Sequence, residues 1–298
     1  MNQPGTGFVG LGQMGGGMAR NLAAKTRPLY GVDLSPAAGA SLQDTALIFS
    51  ESLAEVTRTC SRIFLCLPSA REVDAVLSGP EGIIENALPG LSIIDTSTLE
   101  REEAIGFHDR LQARGIRYAD CPVSGLPSRA RAGTLTLMFG GARNLFDQVR
   151  PQLEQLGECV VYCGEIGSGQ AMKAVNNTLY DIHIVALCEL LPLAVAGGLS
   201  AEALAQVVTT ASSRSFAGDH FVPRMLARQF EGDFAMEEAY KDIVNVQKIA
   251  LEQKALTPLM NAMISSYQNA LADGLGSEPK SAIIKVYEKA LGIRFGHE

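Results

Sequence analysis

The run "GFVGLGQMGGGMARNL" carries Gly10-x-Gly12-x-x-Gly15 directly after the apolar stretch "GFV" and at the start of a helical pattern. An acidic residue, Asp33, ends the next β-rich run, 23 positions after Gly10. That spacing has a physical meaning for a dinucleotide. Gly10 makes the turn, Gly12 lets the backbone approach a pyrophosphate, and Gly15 allows close helix–strand packing. The backbone N–H groups of the first turn, from Leu11 through Gln13 and Met14, point at the phosphates. Asp33 can accept from both ribose hydroxyls and repels a 2′-phosphate. No Arg or Lys follows it in "DLSPAAGA", so NAD is expected over NADP. A second stretch, "GSGQAMKAVNN" (Gly167 to Asn177), sets Lys173 and Asn177 four residues apart and thus on one helix face, among Ala171, Met172, Ala174 and Val175. Burying an ammonium is costly unless it is paired or gives up its proton, whereas a lysine that snorkels reaches water along its apolar stem. Periodicity alone leaves both readings of Lys173 open.

The elements that must position these residues fall into two halves. "GFVGL", "LYGVD", "RIFLCL", "LSIIDT", "IRYADCPV" and "LTLMFGG" read as strands, several of them continuous apolar runs of the buried, parallel type, with helical segments between them. That alternation implies βαβ units and a parallel sheet. After "VVYCGEIG" the strand signal stops and the chain reads as helical to its end. A helix from Gln170 to Ala196 would span about 40 Å and could join two domains. The expected division is therefore an α/β domain over 1–165 and an all-α domain over 166–298, with the boundary in the glycine-rich joint Gly164 to Gly169.

The chain has 298 residues, 47% of them apolar and 19% charged, with a net charge of −7, so no basic footprint for nucleic acid is expected. Six scattered cysteines without a C-x-x-C pair read as reduced thiols, and no metal site is expected. The N-terminus lacks a signal-peptide pattern. The most apolar helix carries His183, Glu189 and Pro192, which makes a buried helix the better reading than a membrane span. A cytoplasmic protein without a membrane partner is the expectation.

Four stretches together resemble the β-hydroxyacid dehydrogenase family, which contains 3-hydroxyisobutyrate dehydrogenase and tartronate semialdehyde reductase. "GFVGLGQMGGGMARNL" resembles its N-terminal motif, "DCPVSGLPSRARAGTL" its substrate-binding motif, "GSGQAMKAVNN" its catalytic motif, and "YKDI" (Tyr240 to Ile243) a lysine-aspartate motif near the end. The resemblance implies a Rossmann domain with a mostly parallel, doubly wound sheet, followed by an all-helical domain for substrate and dimerisation. It also implies reversible NAD(P)-linked oxidation of a small hydroxy-carboxylate. On this reading Lys173 is the acid/base, since hydride transfer leaves a hydroxyl proton that a positioned group must take. Ser124 and Gly125 would hold the substrate carboxylate, Asn177 would hydrogen-bond the substrate, and Lys241 would reach cofactor and substrate. Leu67, Pro68 and Thr98 would line the cofactor cleft. For Thr98 the residues offer another reading, because Ser97 and Glu100 form a capping-box pattern at a helix start. Arg214 and Phe216 in "SSRSF" are candidate pocket walls, and no histidine falls in a motif.

Two positions depart from the family pattern. Leu126 stands where a second glycine usually follows Ser-Gly, which implies that no glycine-only backbone angle is used there and leaves the substrate open. Lys280 stands where an acidic or small residue is frequent. The expected reaction is a 3-hydroxyisobutyrate-like oxidation. The alternatives are reduction of tartronate semialdehyde or a hydroxymethyl diacid, and a non-catalytic NAD-binding module. A phosphogluconate dehydrogenase needs a larger helical domain, and imine reductases usually replace the lysine. The apolar circumference of the long helix implies a homodimer or homotetramer.

Overall fold

A computed structural model describes residues 4–232 and 234–296; for Lys241, Asp242 and Asn245 it describes the backbone only. The chain divides into two compact units, residues 1–173 and 174–298, so the division falls inside a helix. The first unit opens with β1 (Gly5–Val9), α1 (Gln13–Lys25), β2 (Leu29–Val32), α2 (Pro36–Ala40) and β3 (Leu47–Phe49). It continues through α3 (Leu53–Thr59), β4 (Cys60–Leu65), α4 (Ala70–Ser78), α5 (Ile83–Asn86), β5 (Ser92–Asp95) and α6 (Arg101–Gln112). Then follow β6 (Arg117–Asp120), β7 (Val123–Ser124), α7 (Pro127–Ala132), β8 (Leu135–Gly140), α8 (Arg143–Leu153), β9 (Gly157–Gly164) and the start of α9 (Ser168–Ala196).

These strands form one sheet in the order β3-β2-β1-β4-β5-β6-β8-β7, with β9 on the other edge of β8. The first six are parallel, and β8 runs antiparallel to β6 and β7 but parallel to β9. The fold is the expected Rossmann type, mostly parallel and wound on both faces. Because strand side chains alternate in direction, Phe8, Phe64 and Ile94 join α1, α7 and α8 in one core, and Ile63, Leu65 and Ile93 join α3, α4 and α6 in another. The order reverses at β1, between β2 and β4, which is where an open α/β sheet makes its ligand crevice. Sequence periodicity misses β3 and β7, which have three and two residues, too few to show a period.

The second unit takes the rest of α9 and adds α10 (Ala201–Thr210), α11 (Phe216–Leu226), α12 (Met236–Glu252), α13 (Pro258–Ala272), a 3₁₀ turn at Lys280–Ile283 and α14 (Ile284–Leu291). Ile184, Cys188 and Leu191 of α9 enter a core with Phe221, Met225, Met260, Tyr267, Ile283 and Phe295. Lys280 is buried and sits 2.6 Å from Asp181 Oδ1, which also accepts the Tyr267 hydroxyl at 3.0 Å. A buried cation needs such a partner. By length and hydropathy α9 could cross a membrane, and a third of its most apolar 18-residue window is buried within the protein. The buried-helix expectation thus holds for one stripe of α9 and fails for the rest, because Val175, Leu179, Leu190 and Leu193 are more than half exposed.

Candidate functional site

The glycine turn after β1 shows three glycines with three different surroundings. Gly10 has φ +91°, and a Cβ on it would lie 2.2 Å from the Cys66 carbonyl oxygen. A Cβ on Gly15 would lie 1.9 Å from the Gly10 carbonyl oxygen. Both are packing requirements. At Gly12 a Cβ would meet nothing within 4 Å, so the backbone there faces open space. Gly12 is the N-cap of α1, and among the described residues no side chain caps that terminus and no acidic residue sits in its first turn. A helix N-terminus left in this state is fitted to anionic phosphates.

The flanking residues complete the turn. Leu11 is buried in the core, so its backbone is what it presents at the turn. Gln13 is exposed, and Met14 packs against the core. Asp33 Oδ2 accepts from Leu11 N–H at 2.6 Å and Oδ1 from Ser35 N–H at 2.8 Å, tying the end of β2 to the glycine turn. Leu67 Cδ2 lies 3.1 Å from where a Gly10 Cβ would stand, and Pro68 beside it is exposed. Leu67 N–H donates to Ser97 Oγ at 2.9 Å. The expected Ser97–Glu100 capping pair therefore does not form. Helix α6 begins at Arg101 with Glu100 as N-cap, and Glu103 Oε2 accepts from Glu100 N–H at 2.8 Å. Thr98 is exposed between Ser97 and Leu99, both of which are held by other groups.

The start of α9 is built around two buried polar residues that sequence reading did not single out. Asp120, at the end of β6, accepts from Gly167 N–H at 2.7 Å and Gln170 N–H at 2.8 Å. Gln170 Nε2 donates to the Ser97 carbonyl at 2.8 Å, and its Oε1 accepts from Leu99 N–H at 3.0 Å. The loop carrying Thr98 is thereby tied to α9. Gly140 and Gly169 are glycines because a Cβ would come within 2.6 Å of Asp120 Oδ1 and 2.3 Å of the Met138 carbonyl oxygen. Asp95 pairs in register with Asp120 across β5 and β6, and accepts from Tyr118 hydroxyl (2.8 Å) and Ser97 N–H (2.9 Å). Burial pushes both carboxyls up, Asp120 to about 6, against the lowering effect of the backbone N–H groups that bind it. The sequence signal available was an acidic residue ending a strand and a glutamine directly after a glycine-rich joint.

Lys173 is half-buried, and its Nζ donates to the Val123 carbonyl at 2.6 Å. That carbonyl precedes Ser124, which ends β7, and Gly125, which follows it; both are half-buried. Gly125 has φ +141°, and a Cβ there would meet Leu135 Cδ2 at 2.7 Å. Leu126 has φ −84° and ψ 167°, an ordinary extended conformation, and caps α7 with Pro127 as its first residue. No glycine-only angle is used at Leu126, as its identity implied.

Asn177 follows Lys173 by one turn of α9, and its Oδ1 lies 3.3 Å from Asn176 Nδ2. Lys241 belongs to α12, and its side chain lies outside the described residues. Arg214 pairs with Asp219 at 3.0 Å, so its guanidinium already has an anion, while Phe216 is half exposed and stacks on His220.

Comparisons with known proteins bear on the family and the fold. Residues 5–164 match the family described as the NAD binding domain of 6-phosphogluconate dehydrogenase. Residues 167–287 match the NAD-binding domain of NADP-dependent 3-hydroxyisobutyrate dehydrogenase. The chain is 33% identical over 288 residues to 2-(hydroxymethyl)glutarate dehydrogenase of Eubacterium barkeri, covering 96% of each chain. It is 33% identical over 261 residues to mouse mitochondrial 3-hydroxyisobutyrate dehydrogenase, covering 85% of this chain and 77% of the mouse protein. A solved structure of Mycobacterium tuberculosis 3-hydroxyisobutyrate dehydrogenase with L-serine superposes with a TM-score of 0.83 at 27% identity, over 95% of this chain and 99% of that one. With its glycine turn, its lysine helix and these relatives over nearly its whole length, the chain belongs to the β-hydroxyacid dehydrogenase family of NAD(P)-dependent oxidoreductases.

Proposed function

We propose that the chain oxidises a small β-hydroxyacid of the 3-hydroxyisobutyrate type with NAD, Lys173 taking the hydroxyl proton. The observation that carries this reading is Lys173 Nζ, held 2.6 Å from the Val123 carbonyl beside Ser124 and Gly125. A neutral amine in that position keeps one N–H on the carbonyl and still has a lone pair to accept a proton, which general-base action requires. Ser124 hydroxyl and the backbone N–H groups of its turn hold the substrate carboxylate, as such turns hold anions elsewhere. Asn177 hydrogen-bonds the substrate from the next turn of the same helix, and Lys241 belongs to the same reading. The nicotinamide, when bound, supplies the hydride acceptor. Its phosphates fit the uncapped start of α1 at Gly10 to Gly15, and Leu67, Pro68 and Thr98 flank it. Asp33 favours NAD because a second negative charge beside it is repelled.

The Eubacterium relative, similar over 96% of this chain, favours a second reading in which the substrate is a hydroxymethyl diacid. The same residues serve the reverse reduction of a semialdehyde such as tartronate semialdehyde. The exposed face of α9, with Met172, Val175, Leu179, Leu190 and Leu193, supports a homodimer or homotetramer formed through the helical unit. Rates across 3-hydroxyisobutyrate, glycerate, 3-hydroxypropionate, threonate, serine and hydroxymethyl diacids, with NAD and NADP, test the reaction. Turnover of a monoacid or a diacid selects between the two readings. A protein that binds NAD and turns over none of them breaks both. A monomer in sedimentation at micromolar concentration breaks the assembly.

A further inference from the structure

We propose that Asp120 is the positioning residue for Lys173: its carboxylate, bridging the backbone N–H groups of Gly167 and Gln170, fixes the register in which Lys173 meets the Val123 carbonyl. The inference rests on Lys173 being the proton acceptor. Two consecutive rungs join the same two segments. Asp120 meets Gly167 and Gln170 at 2.7 and 2.8 Å, and three residues further along each segment Val123 meets Lys173 at 2.6 Å. A helix is stiff over one turn, about 5.4 Å, so a shift at its first N–H groups is carried to Lys173. The carboxylate has little freedom to turn, because Gly140 and Gly169 stand so close that a Cβ on either would come within 2.6 and 2.7 Å of its oxygens.

The chemistry calls for an ionised carboxyl. Two N–H donors need two acceptor oxygens, and bonds from a helix N-terminus to a charged acceptor are the stronger kind. An asparagine offers one acceptor and would turn an N–H toward a donor, and a protonated carboxyl loses an acceptor in the same way. Among the described residues, the titratable groups that interact with Asp120 are Asp95 on β5, Tyr118 on β6, Cys121 just after it and Cys163 on β9; β8 contributes Gly140 and Met138, α6 brings Arg101 against Gly167, and α9 carries Lys173 beyond its uncharged first turn. Asp95, Tyr118, Cys121 and Cys163 would add negative charge if ionised, and Arg101 and Lys173 are the cations of the neighbouring turns. With the carboxyl pushed up to about 6, the clamp is closed at neutral pH and opens in mild acid.

The test compares wild type, Asp120→Asn and Lys173→Met over pH 5 to 8.5. The first readout is kcat and KM with an accepted hydroxyacid. The second is hydrogen exchange at the Gly167 and Gln170 amides of the wild-type protein, corrected for intrinsic pH dependence and compared with amides of β4 and β5. The expected result is a wild-type kcat that falls below pH 6, and an Asp120→Asn kcat at least ~10-fold lower without that acid limb, with KM for NAD within ~3-fold. The two amides should lose protection below pH 6 while the strand amides keep theirs. An Asp120→Asn enzyme with kcat within 2-fold and the same acid limb overturns the proposal. If that variant does not fold, the wild-type amides decide, and full protection down to pH 5 overturns it. A Lys173→Met enzyme with undiminished kcat overturns the lysine assignment and this proposal together. Loss of kcat in Lys173→Met together with wild-type amides that keep full protection down to pH 5 overturns the role of Asp120 alone.

Discussion

Two helices in the first unit begin after glycine-rich turns, and they treat the same physical problem in opposite ways. The first turn of any α-helix leaves backbone N–H groups without partners and a partial positive charge. At α1 the cap is Gly12, among the described residues no side chain fills the terminus, and the space beside Gly12 is open. At α9 the chain supplies its own anion, Asp120, buried among Gly140, Gly167, Gly169 and Gln170. Glycines serve both turns, but at α1 Gly12 leaves open space beside the helix start and at α9 Gly140 and Gly169 make room for a side chain of the protein. The lesson is that a glycine-rich helix start is not in itself a phosphate site. What decides is whether the fold has already placed a carboxylate there.

The largest effect expected is at the closed helix. Lys173→Met keeps the apolar stem but removes the proposed acid/base, a function typically worth 10²–10⁴-fold. We expect kcat to fall by at least ~10²-fold while NAD titration stays close to wild type, since the proposed anchors of the cofactor are at α1. A well-folded, NAD-binding variant with near wild-type kcat breaks the assignment.

The next effect concerns stability. Asp120 holds its proton up to about 6 in the folded protein, against 3.8 for an ordinary aspartate. Between those values the folded state binds more protons than the unfolded one, so this group's contribution to stability is present below pH 4 and is lost as pH rises through 6. The loss is at most about 3 kcal/mol. Asp120→Asn lacks this dependence, so denaturant titrations at pH 4 and pH 7 should show the variant gaining on wild type by that order. Parallel curves would mean that the buried charge is not held at a cost in stability.

Much of this contrast was open to sequence reading, and the reason it stopped where it did is physical. The turn at α1 is local: Gly10, Gly12, Gly15 and Asp33 fall within one βαβ unit, so spacing was enough to expect the strand–turn–helix that the structure shows. The start of α9 is not local. Asp120 lies 47 and 50 positions from the residues it binds, and nothing in "YADCPV" distinguishes a strand-end carboxylate that caps a distant helix from one that faces water. Ser97 shows the opposite failure, since a sound local pattern gave way to a bond with Leu67, 30 positions away. Leu126 was legible because its type alone bounds its backbone angles.

The open helix can be probed by filling it. Gly15→Ala puts a methyl into the Gly10 carbonyl oxygen, and such overpacking should lower stability by about 1–3 kcal/mol. Gly12→Ala adds the same methyl to open space, so melting should not change, yet NAD should bind at least ~10-fold more weakly if a pyrophosphate must approach there. Calorimetric titration with NAD beside melting curves separates the two. Equal NAD affinity in Gly12→Ala and wild type would show that α1, despite its open end, is not where the phosphates sit.

The smallest effect expected is on the choice between cofactors, which the proposed function assigns to Asp33 at the rim of the open turn. Its carboxylate already accepts N–H groups from Leu11 and Ser35, and remaining lone pairs are left for ribose hydroxyls. A 2′-phosphate would bring a second negative charge to this place. If that repulsion is worth ~1.4 kcal/mol, NAD should exceed NADP in kcat/KM by at least ~10-fold. Leu34 beside it is fully exposed, so an arginine there meets no steric obstacle. Asp33→Asn combined with Leu34→Arg should therefore bring the two cofactors within ~3-fold of one another or reverse their order, because a repelling charge is replaced by one that attracts. The change also removes one acceptor from the Leu11–Asp33–Ser35 tie, so both rates should fall somewhat and melting must be followed alongside. A wild-type enzyme that prefers NADP would mean that Asp33 serves the turn and not the ribose, making the start of α1 more like that of α9 than the contrast allows.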